Sequence, residues 1–289
     1  MRLNIAYRAK IVIFTAMQLP EITVIISTYN QPMWLQKVLC GYENQTVDHF
    51  EIIIADDGST EETKIMINEF SKTSRLQIEH VWHQDLGFRK TAILNKAIPL
   101  ANSDYLLFTD GDCIPRNDFV ETHLKLRKTG WFLSGGYFKL PKDISEEITK
   151  DHIVSQRCFD VDWLLSKGLP SSFKLNKLTS KGFKERFLNF ITPTKATWDG
   201  MNVSGWKKDV LLVNGFDERM QYGGEDREIG ERLFNLGIKA KQIRYSAICL
   251  HLYHERGYVA PEMITKNRAI RKVTKREKAI RTPFGIEKD

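Results

Sequence analysis

Two aspartates, Asp110 and Asp112, stand one residue apart where an apolar run stops, in the stretch LLFTDGDC from Leu106 to Cys113. Side chains two apart on an extended segment point to the same side. Gly111 between them lets the backbone bend and come close to a ligand. Two converging carboxylates without a basic neighbour repel each other unless a divalent cation sits between them and a phosphate, and Mg2+ or Mn2+ takes oxygen ligands in this way. The plainer alternative is a solvated Asp-Gly turn. A second acidic pair, Asp56 and Asp57 in IIIADDGS, also ends an apolar run. It suits recognition of a nucleotide base or ribose, with an Asx turn or helix N-cap as the alternative.

A third pair, Glu225-Asp226, follows Gly223-Gly224 and opens a stretch in which Ile229 and Leu233 share a helical face. A carboxylate on such a glycine hinge is suited to general base work. Acceptor hydroxyls are very weak acids, and a positioned base contributes roughly 10²–10⁴-fold in rate. The alternative is a helix N-terminus that favours negative charge. His251 and His254 in CLHLYHER lie three apart. Imidazole can complete a Mn2+ sphere, but residues i and i+3 of a strand point to opposite faces. So His254 is favoured and His251 is second, unless the chain bends there. Arg89, Lys90 and Asn95 in LGFRKTAILN offer donors for a diphosphate near a helix N-terminus, against the alternative of solvated surface charge.

These residues need a scaffold that brings them together. The first half of the chain alternates. Apolar runs at EITVIIS, FEIIIADDGS, LQIEHVW and DYLLFTD read as strands, and MWLQKVLCGY, EETKIMINEF, KTAILNKAIPL and DFVETHLKLRK read as helices. Such alternation predicts a mostly parallel sheet with helices on both faces, and ligands of these sheets sit beyond the strand carboxyl ends. The polar texts STYN, ADDGS and TDGD all fall there. WFLSGGYF reads as one strand with a glycine kink and IKAKQI as a short strand, while 143–199 has weak periodicity. From Glu262 the pattern is a basic helix.

The chain of 289 residues is 42% hydrophobic and 27% charged, with a net charge of +7. Nine Lys/Arg and four Asp/Glu lie between Glu262 and Asp289, so +5 belongs to the tail and only +2 to the body. A nucleic-acid-binding body would carry its own basic face, so nucleic acid is not an expected partner. No run reaches the ~18 apolar residues of a membrane span. The basic, briefly apolar start makes a poor signal peptide, and Met17 is an alternative start. The four cysteines have no metal-ligand spacing and read as free thiols in a reducing compartment.

Taken together, VIISTYNQP, QTVDHFEIIIADDGSTEET, TDGD and GGEDREIGERLF resemble a family 2 nucleotide-sugar glycosyltransferase with the GT-A fold, over roughly Glu21 to Tyr258. GGEDREIGERLF resembles the Gly-Gly-Glu-Asp segment of the branch similar to chondroitin polymerase and β-1,4-galactosyltransferase, in which text like NVSGWKKDVLLVNGFDE also recurs. The resemblance implies that Asp57 contacts the base and that Ser27, Thr28 and Tyr29 line its pocket. Asn30, Asp56 and Gly111 fall within the same expected donor site. Asp110 is implied to touch the ribose or donor sugar, and Asp112 to hold the divalent cation with His254. Asp226 is implied as catalytic base. Glu225, with Tyr222, Gly223 and Gly224, is implied to meet acceptor hydroxyls.

The expected organisation is a catalytic domain over 17–260, divided into a nucleotide-sugar half (17–125) and an acceptor half (126–260), followed by a basic tail over 261–289. The expected reaction is an inverting, metal-dependent transfer of one sugar, because a single such module stands where the polymerases have two. A UDP-hexose is the expected donor. The acceptor would be a saccharide or glycolipid of lipopolysaccharide or capsule synthesis, and the enzyme cytoplasmic or peripheral on the inner membrane face. A nucleotidyltransferase is the first rival, but STYNQPMW lacks the glycine-rich basic loop it needs. The second rival, a degenerate binding module, would have lost the carboxylates. The tail is expected to place Met263, Ile270, Val273 and Ile280 on one side of a helix suited to an anionic membrane surface. A helix packed on the body is the alternative.

Overall fold

The computed structural model describes residues 19–255 and 259–288. The alternative start at Met17 and the basic stretch before it lie outside the described residues, as does Tyr258.

The strands are β1 (Ile22–Thr28), β2 (Phe50–Asp56), β3 (Ile78–Trp82), β4 (Tyr105–Asp110), β5 (Cys113–Pro115), β6 (Trp131–Ser134), β7 (Gly136–Lys139), β8 (Asn202–Trp206), β9 (Lys239–Gln242) and β10 (Ile248–His251). The helices of the first half are α1 (Pro32–Glu43), α2 (Glu61–Thr73), α3 (Lys90–Leu100) and α4 (Phe119–Leu126). Short helices follow: α5 (Lys142–Glu147), α6 (Lys150–Val154), α7 (Val161–Ser166), α8 (Asn176–Thr179) and α9 (Gly182–Ile191). The last three are α10 (Lys207–Leu212), α11 (Glu225–Asn235) and α12 (Pro261–Arg276).

The main sheet runs β3-β2-β1-β4-β8-β6-β9. β1 to β4 are mutually parallel, β8 is antiparallel to both β4 and β6, and β9 is parallel to β6. The period of two in β1 divides its side chains between two cores. Ile22, Val24 and Ile26 pack with Leu35, Val38 and Leu39 of α1 on one face. Ile25 packs with Ile93, Leu94 and Ala97 of α3 on the other, together with Trp198 and Phe216. The expected layering is thus present.

The stretch WFLSGGYF is two strands rather than one kinked strand. β6 belongs to the main sheet, whereas β7 joins β10 and β5 in a second, three-stranded sheet. The crossing leaves no room for side chains: a Cβ on Gly135 would lie 2.1 Å from Asn202 Oδ1, and one on Gly136 2.1 Å from Arg244 O. The weakly periodic 143–199 stretch supplies Ile144, Ile153, Trp163, Leu164 and Leu178 to the first core. Its helices before α9 run to six residues at most, too short to show a clear period.

The tail is built into the body. Asn267 and Thr274 of α12 are buried, and Thr274 Oγ1 donates to Glu228 Oε1 of α11 at 2.8 Å. Arg271 and Lys275 both pair with Glu231. Beyond α12, Asn214 Nδ2 donates to the carbonyls of Thr282 (2.7 Å) and Glu287 (2.9 Å), and Thr282 Oγ1 donates to the buried Asp217. The segment expected over 261–289 as a tail apart from the catalytic domain therefore straps, over its described residues 261–288, α11 and the loop before it, and much of its charge is matched locally.

Candidate active site

Parallel pairing aligns the ends of three strands. Thr28 is opposite Asp56, and Ser27 is opposite both Ala55 and Asp110. The Ser27 hydroxyl donates to Asp110 Oδ1 at 2.7 Å, and Lys90 Nζ donates to the same oxygen at 2.5 Å. Asp110 therefore has a basic neighbour, contrary to the sequence reading. Burial pushes its carboxyl up, but the Lys90 ammonium more than offsets this and holds it below its ordinary value. Burial pulls Lys90 down, while Asp110, Glu225 and Asp226 push it up and prevail. The N–H of Gly111 donates to Ser27 O at 2.7 Å, and a Cβ there would come to 3.0 Å from Thr28 Oγ1. A side chain at this position would crowd the end of β1.

Asp57 and Asp56 have different surroundings. Asp57 Oδ1 lies 2.7 Å from His83 Nε2, and its Oδ2 accepts the Arg89 N–H at the start of α3. Burial raises its carboxyl, with His83 working against that. An ionised carboxylate has about four lone-pair sites, so Asp57 can still meet a base. Asp56 is completely buried; one oxygen accepts the Ser59 N–H and the other faces His80 Nε2 at 2.9 Å. Both of its oxygens are thus engaged in holding the turn after β2. Asn30 has the same kind of role: its N–H donates to Ser59 Oγ, its side-chain oxygen accepts from Thr60 N, and its φ is 49°. Asn95 is also a structural residue. Its amide donates to Phe216 O and Glu218 Oε1 and accepts the Phe216 N–H. Tyr29 is exposed and donates to Asp85 at 2.8 Å.

At Asp112 the chain presents a different donor set. His254 Nε2 lies 3.3 Å and His251 Nε2 3.9 Å from Asp112 Oδ2, and the two imidazole centroids are 5.3 Å apart. β10 ends at His251, so His254 lies beyond the strand and the alternation rule no longer separates the two rings. The main-chain bond from Leu252 N to Asp112 O, 2.8 Å, fixes this bend. A carboxylate and two imidazoles suit a divalent cation of the Mn2+ type. Cys113 Sγ lies in the same cluster, where burial and the adjacent Cys249 push its thiol well up.

The third carboxylate pair sits at the N-terminus of α11. Gly223 (φ 108°) and Gly224 (φ 95°) adopt a left-handed conformation that side chains disfavour. Asp226 Oδ2 accepts the Gly200 N–H at 3.2 Å, and its Oδ1 accepts from Arg227 N at 2.7 Å. Glu225 does not reach outward as expected. It is buried, its Oε2 accepts the Gly223 N–H, and burial with the neighbouring Asp226 pushes it up to about 7 against the pull of Lys90. Tyr222 meets Phe88 edge-on at 5.9 Å, which joins this loop to the one before α3.

Sequence reading missed Asp199. It precedes Gly200 at the entrance to β8, and burial, with Asp226 and Asp110 adding to it, pushes its carboxyl up to about 6. The only sequence signal is the Asp-Gly pair in WDGMN. Its meaning depends on β8 lying beside β4.

Residues 23–152 match the family described as Glycosyl transferase family 2, and residues 189–255 match N-terminal domain of galactosyltransferase. Validoxylamine A glucosyltransferase of Streptomyces hygroscopicus subsp. jinggangensis is 29% identical over 270 residues, covering 88% of this chain and 61% of that protein. Chondroitin synthase of Escherichia coli is 26% identical over 241 residues, 77% of this chain and 33% of that one. The chain thus spans less than two thirds of the length of these relatives. Among solved structures, the mannosyltransferase PcManGT from Pyrobaculum calidifontis, in complex with GDP-Man and Mn2+, superposes with a TM-score of 0.56 at 19% identity, covering 92% of this chain and 66% of that one. S. aureus TarS 1-349 in complex with UDP-GlcNAc gives 0.58 at 15%, covering 89% and 69%. The fold is GT-A-like.

Proposed function

This chain carries a glycosyl transferase family 2 domain, and from that premise we propose that it is an inverting hexosyltransferase. It moves a sugar from a nucleoside diphosphate, with a UDP-hexose as donor, to a hydroxyl of a saccharide or glycolipid acceptor. The observation that carries this reading is the convergence of three carboxylate positions around Lys90: Asp110 bonded to it, with Glu225 and Asp226 close enough to raise its affinity for a proton.

Asp57 meets the nucleotide base, and Ser27 and Thr28 line the pocket below it. Asp110, oriented by Ser27 and Lys90, meets the ribose or the donor sugar. Asp112, His254 and His251 would hold a divalent cation, Mn2+ or Mg2+, which as a Lewis acid offsets charge on a departing diphosphate. Asp226 receives the proton of the acceptor hydroxyl as that oxygen attacks the anomeric carbon from the face opposite the leaving group. One displacement inverts the configuration and needs no covalent sugar–enzyme intermediate. The Gly200 and Arg227 N–H groups each fix one oxygen of Asp226, and the ionised carboxylate keeps lone pairs with which to accept the proton.

Polysaccharide synthesis is the proposed setting. Relatives include chondroitin synthases and a GalNAc(5)-diNAcBac-PP-undecaprenol beta-1,3-glucosyltransferase of Campylobacter jejuni. A panel of nucleotide sugars with Mn2+, read by released nucleoside diphosphate, tests the donor. Asp226→Asn keeps the shape and loses the base, so transfer should fall at least ~10²-fold with nucleotide binding retained. Near-normal transfer by this variant, or retention of anomeric configuration in the product, would rule the mechanism out.

A further inference from the structure

Helix α9 turns an apolar face away from the protein. Phe183, Phe187, Phe190 and Ile191 recur at i, i+4, i+7 and i+8, which places them on one stripe. All four are exposed, Phe183 by 84% and Phe190 by 87%. Phe183 and Phe187 stack with centroids 6.3 Å apart and an interplanar angle of 13°. The opposite face holds the helix in place. Leu188 is buried, Asn189 donates to Ser246 Oγ at 2.9 Å and accepts from Tyr245 N at 3.0 Å, and Glu185 accepts from the Ser246 hydroxyl. The aromatic stripe therefore does no work in anchoring the helix.

Its rim is cationic. At 3.6 residues per turn, Lys184 and Arg186 flank the stripe on its two sides. Lys181 and Lys195 stand at either end of the segment, and all four are exposed. Among the described residues none of these four pairs with a carboxylate. The only acid between 181 and 195, Glu185, is engaged by Ser246. The stripe is built from Phe and Ile, which have no polar tip to satisfy, and its rim carries long cations that can reach outward past it.

We propose that α9 is a docking surface for an anionic lipid bilayer, with the stripe at the acyl boundary and the flanking Lys and Arg among the headgroup phosphates. Charge complementarity selects this occupant. The helix also leads directly to the site: its inner face holds Tyr245 and Ser246 ahead of β10, which carries His251, and its C-terminal end continues to Asp199. Docked this way, the carboxylates would lie near a membrane-borne acceptor. That orientation rests on the proposed transferase reading, whereas binding to lipid does not. The surface assigned is α9 and not the basic tail, whose helix is packed on α11.

Co-sedimentation of the full chain with vesicles of phosphatidylglycerol and phosphatidylcholine decides this. The chain should bind at low salt, bind less as salt rises, and bind weakly to phosphatidylcholine alone. Phe183→Ser/Phe187→Ser/Phe190→Ser should lower partitioning at least ~10-fold, and Lys184→Glu/Arg186→Glu should lower it on anionic vesicles only. Both variants should keep wild-type circular dichroism and nucleoside diphosphate release with a soluble acceptor, a readout that can fail separately without touching the lipid result. Lys266→Glu/Lys272→Glu on α12 should bind as wild type. The proposal is overturned if the wild-type chain ignores anionic vesicles, if the phenylalanine variant binds as well as wild type, or if only the α12 variant loses binding. It is also overturned if the stripe instead supports a concentration-dependent dimer that the phenylalanine variant abolishes in the absence of lipid.

Discussion

Lys90 Nζ lies 2.5 Å from Asp110 Oδ1, so the first carboxylate of the Asp-Gly-Asp triplet is matched within the fold. The second, Asp112, faces two imidazoles. The two aspartates are separated by one residue and meet different partners, which suits the roles proposed for them, Asp110 toward the donor and Asp112 toward a cation.

The Lys90–Asp110 pairing can be tested by a double-mutant cycle. Lys90→Met leaves Asp110 largely buried without its counter-charge and should destabilise the chain by up to about 3 kcal/mol. Asp110→Asn in the same chain should recover a good part of that loss, because the uncompensated charge is gone. Urea unfolding of the four proteins gives the coupling. Additive effects would mean that the pair is not coupled in solution.

Activity should depend on a divalent cation through Asp112. Removing metal with excess chelator should abolish nucleoside diphosphate release, and Mn2+ should restore it. Asp112→Ala should not be restored by Mn2+, while His251→Ala should need a higher concentration of it. Undiminished turnover in chelator would end the claim for this site.

Two carboxyls, Asp199 at about 6 and Glu225 at about 7, are raised by burial and by neighbouring acids. A raised carboxyl keeps its proton in the fold at pH values where the unfolded chain has released it. Stability is therefore highest below the unfolded values near 4 and declines as pH rises through about 6 to 7. Melting temperature should fall across that window, and Asp199→Asn should flatten the lower part of the fall. A melting temperature that climbs steadily from pH 5 to 8 would contradict these assignments.

A chain ending at Ala260 should be unstable as well as shortened. It loses the Thr274–Glu228 bond, the Arg271 and Lys275 pairs with Glu231, and the strap from Thr282 to Glu287 on Asn214. It also uncovers the hinge, where Cβ atoms on Gly223 and Gly224 would come within 3.2 Å of Ile264 and 3.1 Å of Arg271. Thermal melting should drop and transfer to a soluble acceptor should collapse. Full activity in the truncated chain would return the segment to the status of an appendage.

The sequence by itself determined the strand–helix alternation, the polar texts at the ends of β1, β2 and β4, and the glycine hinge before α11. Each depends on a local rule: the period of two or 3.6, the freedom of glycine at positive φ, and the charge preference of a helix start. Tertiary structure alone decided which partners each carboxylate meets. Asp56 and Asp57 are adjacent in sequence, but His80 and Ser59 take one inward while the other meets His83 and Arg89. Asn95 looked like a donor contact and is spent on the 216–218 loop. His251 and His254 share one side because β10 stops between them, and Asp199 counts only because β8 inserts beside β4. The tail looked like a free basic arm because its partners, Glu228 and Glu231, are 40 or more residues away in sequence. A side chain's partner is set by strand order and loop closure across such distances, and no window of local periodicity spans them.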